Sequence, residues 1–97
     1  MQIHRMYVAI NELDRIEDGA VLSFERDVSL LDEGDALVAR LTGGEERLLI
    51  VRRAYPGSWL VEHQAGSKTI CIRLQQIDER SLRVVLDPHQ KLVPEVL

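Results

Sequence analysis

The stretch from Arg47 to Arg53 constrains the fold most, because it is the densest apolar run in the chain and ends in two adjacent arginines. Its four aliphatic residues, Leu48 to Val51, follow one another without a polar break. A short run of this kind between turn signals is typical of a buried strand. Two strand-like segments precede it and at least two follow, so we predict that it is a buried central strand.

Turn signals divide the rest of the chain into short segments of alternating apolar and polar residues. Gly43 and Gly44 suit a hairpin turn, and Pro56 with Gly57 suits a β-turn. The predicted strands are residues 2–10, 20–26, 36–41, 47–53, 59–63, 68–77 and 82–87, with residues 91–97 as an edge strand or tail. The alternation in residues 68–77 slips at Ile77, which predicts a bulge. Strands at this spacing indicate an antiparallel sandwich or barrel.

One short helix is predicted near the N-terminus. Asn11 can cap a helix over Glu12 to Asp18, with Leu13 and Ile16 on its inner face and Gly19 at its end. The 97 residues suffice for one domain. The predicted fold class is therefore all-β, a small antiparallel barrel or sandwich of six to seven strands with one short N-terminal helix.

Several functional classes lack the residues that they require. Cys71 is the only cysteine, so no intrachain disulfide can form, and the histidines at positions 4, 63 and 89 have no metal-ligand spacing to it. Neither a phosphate-binding glycine loop nor a nucleophile–base pair occurs. No leader sequence is visible, and no apolar run is long enough for a membrane helix. We expect a cytoplasmic, non-enzymatic protein without metal or cofactor.

The charge is divided unevenly along the chain. Residues 1–48 hold five Arg or Lys and eleven Asp or Glu, a net charge of −6, whereas residues 49–97 carry +2. An anionic ligand would therefore meet the second half. RNA is the first hypothesis, with phosphate and base contacts from Arg52, Arg53, Arg73 and Arg83, an apolar platform at Ile50 and an exposed ring at Tyr55. Trp59 could stack on a base as well, but a core position is favoured in so aromatic-poor a chain.

The second half resembles the CsrA/RsmA family of post-transcriptional regulators. The pattern runs from Leu48 to Arg53, then through residues 70–77 and 82–88 to residues 92–97. The resemblance implies a dimer of interleaved strands that binds single-stranded RNA loops containing GGA. Ile50 and Arg52 match RNA-contacting positions of the family's first strand, with Arg53 beside them. The family's last-strand arginine falls near Pro94, and the loop after the paired arginines is longer here.

The first half is similar in order to the ASCH branch of PUA-like barrels. The similarity rests on residues 4–8, residues 16–19, Arg26 and residues 31–37. A strand, a helix that ends at glycine, a basic strand and a Gly-Asp turn recur in that family. Its usual lysine and glutamate are replaced here by Val21 and Phe24. This resemblance also implies a barrel fold that binds RNA.

A protein-interaction module is the alternative function. An acidic surface of the first half would meet a basic protein partner, and its residues would be Asp14, Glu17, Asp18, Asp32, Glu33 and Asp35. An unpaired edge at a short final strand would also favour a homodimer.

Overall fold

The computed structural model describes residues 4–86, which form seven β-strands and no helix. The strands are β1 (Met6–Leu13), β2 (Val21–Ser23), β3 (Ala36–Leu41), β4 (Glu46–Tyr55), β5 (Ser58–Ala65), β6 (Lys68–Asp78) and β7 (Ser81–Val85). They form one sheet in the order β1-β3-β4-β5-β6-β7-β2. A bridge between Ala9 and Phe24 brings the two edge strands together. The predicted all-β barrel is therefore confirmed, and the predicted edge strand or tail at residues 91–97 lies outside the described residues.

Strands β3 to β7, here called the meander, each pair antiparallel with the next. Tyr55 pairs with Ser58 across the predicted Pro-Gly turn, where Gly57 has a φ of 74° that favours glycine. The pairing of β6 with β7 shifts register between Gln76 and Asp78, which confirms the bulge at Ile77. Short turns and backbone hydrogen bonds are thus sufficient to hold this part of the barrel.

Alternating residues of the strands fill the barrel interior. The largest fully buried side chains on strands are Leu22, Leu37, Leu49, Val51, Val61, Leu74, Leu82 and Val84. Trp59 is also buried, and its Nε1 donates a hydrogen bond to the Leu31 carbonyl at 2.8 Å. Leu31 and Val28 come from the loop between β2 and β3 and pack into the same core. The prediction that Trp59 is a core residue is confirmed.

The contact between β1 and β2, here called the seam, depends on side chains. The Asn11 carboxamide donates to the Val21 carbonyl and accepts from the Ser23 amide, both at 2.8 Å. Arg26 donates to the Met6 carbonyl at 3.2 Å, and its guanidinium lies 4.3 Å from the centre of the Tyr7 ring. Amide and guanidinium groups therefore replace most of a backbone ladder here.

Two features of the N-terminal half differ from the prediction. β1 pairs parallel with β3, so the barrel is not wholly antiparallel. No helix forms over Glu12 to Asp18, because β1 continues to Leu13, which pairs with Leu41. A helix of seven residues is marginal without packing, so the sheet pairing prevails. Asn11, predicted as a helix cap, instead joins the seam.

A buried carboxylate fixes the loop that precedes β3. Asp35 is 1% exposed and accepts from Arg5 Nη2 at 2.8 Å and from the Asp32 amide at 2.9 Å. Arg5 Nη2 also donates to the Leu30 carbonyl at 3.0 Å. The hydrogen bond to Asp35 raises the pKa of Arg5. This group ties the start of β1 to the loop.

The apolar run of β4 is buried on one face only. Leu49 and Val51 point into the core, but Leu48 is 42% exposed, so the prediction of a fully buried run is wrong there. β3 fits that description better, because five of its six residues are buried. The physical reason is that the inside of the barrel accepts only alternate residues of a strand.

Candidate nucleic-acid interface

Cross-strand pairing brings the predicted binding residues onto one outer surface. Arg53 pairs with Leu60, which pairs with Arg73. Arg83 pairs with Gln75, in the row that leads through Ser58 to Tyr55. We call this surface the arginine face. It consists of those outward residues of β4–β7 that surround the four arginines: Ile50, Arg52, Arg53, Tyr55, Ser58, Leu60, Glu62, Cys71, Arg73, Gln75, Arg83 and Val85.

A bulge in β4 places both adjacent arginines on this face. Val51 pairs with Val61 and Arg53 pairs with Leu60, so Arg52 is an extra residue between them. In a regular strand, adjacent residues point to opposite faces. Here Arg52 follows the inward Val51, while Arg53 lies in an outward pair with Leu60. The inserted residue therefore lets β4 contribute two arginines to the arginine face instead of one.

The arginine face has an excess of positive charge. It contains four arginines and one carboxylate, Glu62, which gives a net charge of +3. Arg52 Nη1 lies 3.4 Å from Glu62 Oε1, and both side chains contact solvent. A solvated ion pair of this length is weak. The surface can therefore attract an anion.

Tyr55 and Ile50 lie at the margins of the arginine face, whereas the apolar Leu60 lies in its centre between Arg53 and Arg73. Tyr55 is 45% exposed beside the Pro-Gly turn, which confirms the predicted exposure. Ile50 is half-buried and pairs with Glu62 on one side and Ala36 on the other. Ile50 therefore borders the arginine face on the side of β3. Arg73 and Arg83 are both exposed, as the alternation predicted.

A groove of about 290 Å³ adjoins the Ile50 end of this face. Its wall includes Leu48, Ile50, Glu62, His63 and Thr69. The sequence did not predict this groove, because Leu48 was expected to be buried and Ile50 was expected to serve the arginine surface. The Nδ1 atom of His63 is buried and has no hydrogen-bond partner among residues 4–86, and burial lowers the pKa of His63.

A second groove, of about 230 Å³, follows the seam. It is lined by Met6, Tyr7, Val8, Phe24, Glu25 and Arg26. The Arg26 guanidinium already donates to the Met6 carbonyl and lies over the Tyr7 ring. The seam groove is therefore a product of the barrel closure.

The predicted acidic surface is divided by the fold. Asp14, Glu17 and Asp18 follow the end of β1, whereas Asp32 and Glu33 precede β3, whose start pairs with the start of β1. These two groups therefore lie at opposite ends of β1. Asp35 is buried and bound to Arg5, so it cannot meet a partner. Asp18 accepts from the Leu86 amide and Asp14 from the Thr42 hydroxyl, so both also have local partners.

Within residues 4–86, no group of three or more His, Cys, Asp or Glu side chains gathers to hold a metal ion. Cys71 is half-buried on the arginine face, where it lies opposite Glu62 in the pairing of β5 with β6. Across the same residues, no helix is long and apolar enough to cross a membrane.

No protein-family model, curated protein or solved structure matches this chain. The resemblances to the CsrA/RsmA family and to ASCH barrels therefore stay predictions. The arginine face itself carries the functional argument.

Proposed function

We propose that this protein is a non-enzymatic module that binds single-stranded RNA on the arginine face. The observation that carries the proposal is the arrangement of four arginines in neighbouring rows with one carboxylate among them. Arginine suits this role because its planar fork can hold a phosphate by two hydrogen bonds. The pattern similarity to CsrA/RsmA regulators supports a cytoplasmic role in translational control.

The spacing of the face supports an extended ligand. Neighbouring strands lie about 4.8 Å apart, so Arg53 and Arg73, on either side of Leu60, are separated by about 10 Å. Arg83 lies one strand further along and one row away, diagonal to Arg73. Side chains of this length can reach successive phosphates of a strand that crosses the sheet. Tyr55 at the margin offers a ring on which a base can stack.

The test measures binding of labelled single-stranded RNA by fluorescence anisotropy over a range of salt concentrations. With three net positive charges engaged, we expect a slope of log K against log salt of about −2, because each phosphate contact contributes about 0.7 for single strands. Arg73→Ala and Arg83→Ala should each reduce the slope by about 0.7. A duplex of the same sequence and a GGA-free strand are compared in parallel.

Arg15→Ala is the matched control, because this side chain is 78% exposed and lies outside the arginine face. It should bind like the parent protein. The proposal is rejected if RNA fails to bind at low salt. It is also rejected if Arg73→Ala and Arg83→Ala bind as the control does.

A further inference from the structure

The outer face of β1, β3 and β4 carries two rows of apolar side chains. Met6 pairs with Ala36 and Ala36 with Ile50, while Val8 pairs with Val38 and Val38 with Leu48. Ile10 adds a third exposed apolar side chain on β1. We call these residues the apolar face. Met6, Val8, Ile10 and Leu48 are 49%, 50%, 52% and 42% exposed.

The exposed side chains of the apolar face are not part of the barrel core. Tyr7, Ala9, Leu37 and Leu49 already fill the inner side of the same three strands. Ala36 and Val38 point outward and are nevertheless buried, at 0% and 9% exposure, beneath their larger neighbours. A strand that is apolar on both faces is typical of a sheet covered on both sides. Exposed apolar rows of this kind usually mark an interaction site.

The charges at the two ends of the apolar face differ in sign. The outward residues of β4 read Glu46, Leu48, Ile50, Arg52 in order. Glu12 and Arg40 lie beside Glu46 at the same end, in a weak ion pair of 3.8 Å. The outward residues at the Glu46 end therefore sum to −1, and the outward Arg52, Arg53 and Glu62 at the other end sum to +1. Two copies related by a two-fold axis between Leu48 and Ile50 place each Glu46 opposite the other copy's Arg52.

We propose that the apolar face is the interface of a homodimer in which two barrels pack sheet against sheet. With the two-fold axis between them, Leu48 of one copy meets Ile50 of the other, and the reciprocal contact follows because an isologous interface uses the same surface on both copies. The apolar rows span on the order of 300 Å² of sheet per copy. A standard interface buries roughly 800 Å² per partner, so polar residues around the rows complete it. This proposal does not rest on RNA binding, although Ile50 and Arg52 belong to both surfaces.

The test is sedimentation velocity of the full chain from about 1 to about 500 μM, which brackets the affinities of interfaces near this size. The parent protein should convert from monomer to dimer within this range. Leu48→Glu and Val8→Glu should raise the dissociation constant at least about tenfold, because each would bury an unpaired charge in the interface. Leu30→Glu and Ile77→Glu are the controls, since these side chains are 75% and 43% exposed elsewhere.

Charge reversal tests the two-fold arrangement itself. Glu46→Arg and Arg52→Glu should each weaken association, and the double variant should restore it. Circular dichroism of every variant checks that the barrel still folds. A parent protein that stays monomeric throughout the range would overturn the proposal and leave the face to another partner. Loss of association in the Leu30→Glu and Ile77→Glu controls, or no restoration in the double variant, would overturn it as well.

Discussion

The meander and the seam close the same barrel by different means. In the meander, four successive antiparallel pairings use backbone hydrogen bonds, and the turns between the strands are short. At the seam, the backbone supplies one bridge between Ala9 and Phe24. Asn11 and Arg26 supply the remaining links with their side chains. A barrel can thus be specified by local turns over most of its circumference and by individual residues where it closes.

This difference predicts that substitutions in the two regions act differently. In the meander, backbone pairing survives the loss of a side chain, and only the core packing suffers. At the seam, hydrogen bonds from side chains make most of the link between β1 and β2, so the loss of such a side chain removes the link itself.

Leu74→Ala should cause the largest loss of stability. Leu74 is fully buried on β6, between Trp59 on β5 and Val84 on β7. A cavity at such a site costs about 2–5 kcal/mol of unfolding free energy. Urea denaturation measures the loss, and the slope of the transition should not change. A loss below about 1 kcal/mol would show that the meander does not depend on this packing.

Asn11→Ala should cost less but act locally. It removes two hydrogen bonds across the seam, each worth about 0.5–1.5 kcal/mol, so we expect a loss of about 1–3 kcal/mol. The Ser23 amide should then exchange its hydrogen faster, while amides in β5 and β6 keep their protection. Hydrogen exchange by NMR measures both sets. Equal acceleration in the two sets would contradict a seam held by this side chain.

His63 should give the smallest effect, and only at low pH. Burial lowers its pKa in the folded protein, so the unfolded chain takes up the proton first as the pH falls below about 6.5. The parent protein therefore loses stability below that pH, whereas His63→Gln, which cannot titrate there, does not share this loss. Urea titrations at several pH values between about 5 and 7.5 should show the stability of the parent protein, relative to His63→Gln, falling towards low pH. A pH-independent difference would contradict this.

The sequence predicted the meander well because its signals are local. Pro56 and Gly57 define their turn within four residues, and the slip at Ile77 shows directly in the alternation. The seam could not be predicted in this way. Asn11 is a good helix cap by its chemistry, and only the distant partners Val21 and Ser23 make it a strand residue. The parallel pairing of β1 with β3 is non-local for the same reason.

The candidate site was predictable to a similar extent. Alternation alone sends Arg73 and Arg83 outward, and the structure agrees. The apolar face was missed, because a run of four aliphatic residues indicates burial without saying which face the barrel can use. Leu48 is exposed for that reason. Outward apolar residues become visible only when the strands are paired.

Because of the bulge in β4, the number of residues in this strand affects the charge of the arginine face. Before the bulge, odd-numbered residues such as Leu49 and Val51 face the core, but Arg53 beyond it faces outward with Leu60. The extra residue thus works like a frameshift in the in-and-out alternation of the strand. Deletion of one residue at this position would keep the pairing of Val51 with Val61 and of Ala54 with Trp59. Only one arginine would then remain between these two pairs. Evolution can therefore change the charge of this surface by insertion or deletion, without a single substitution.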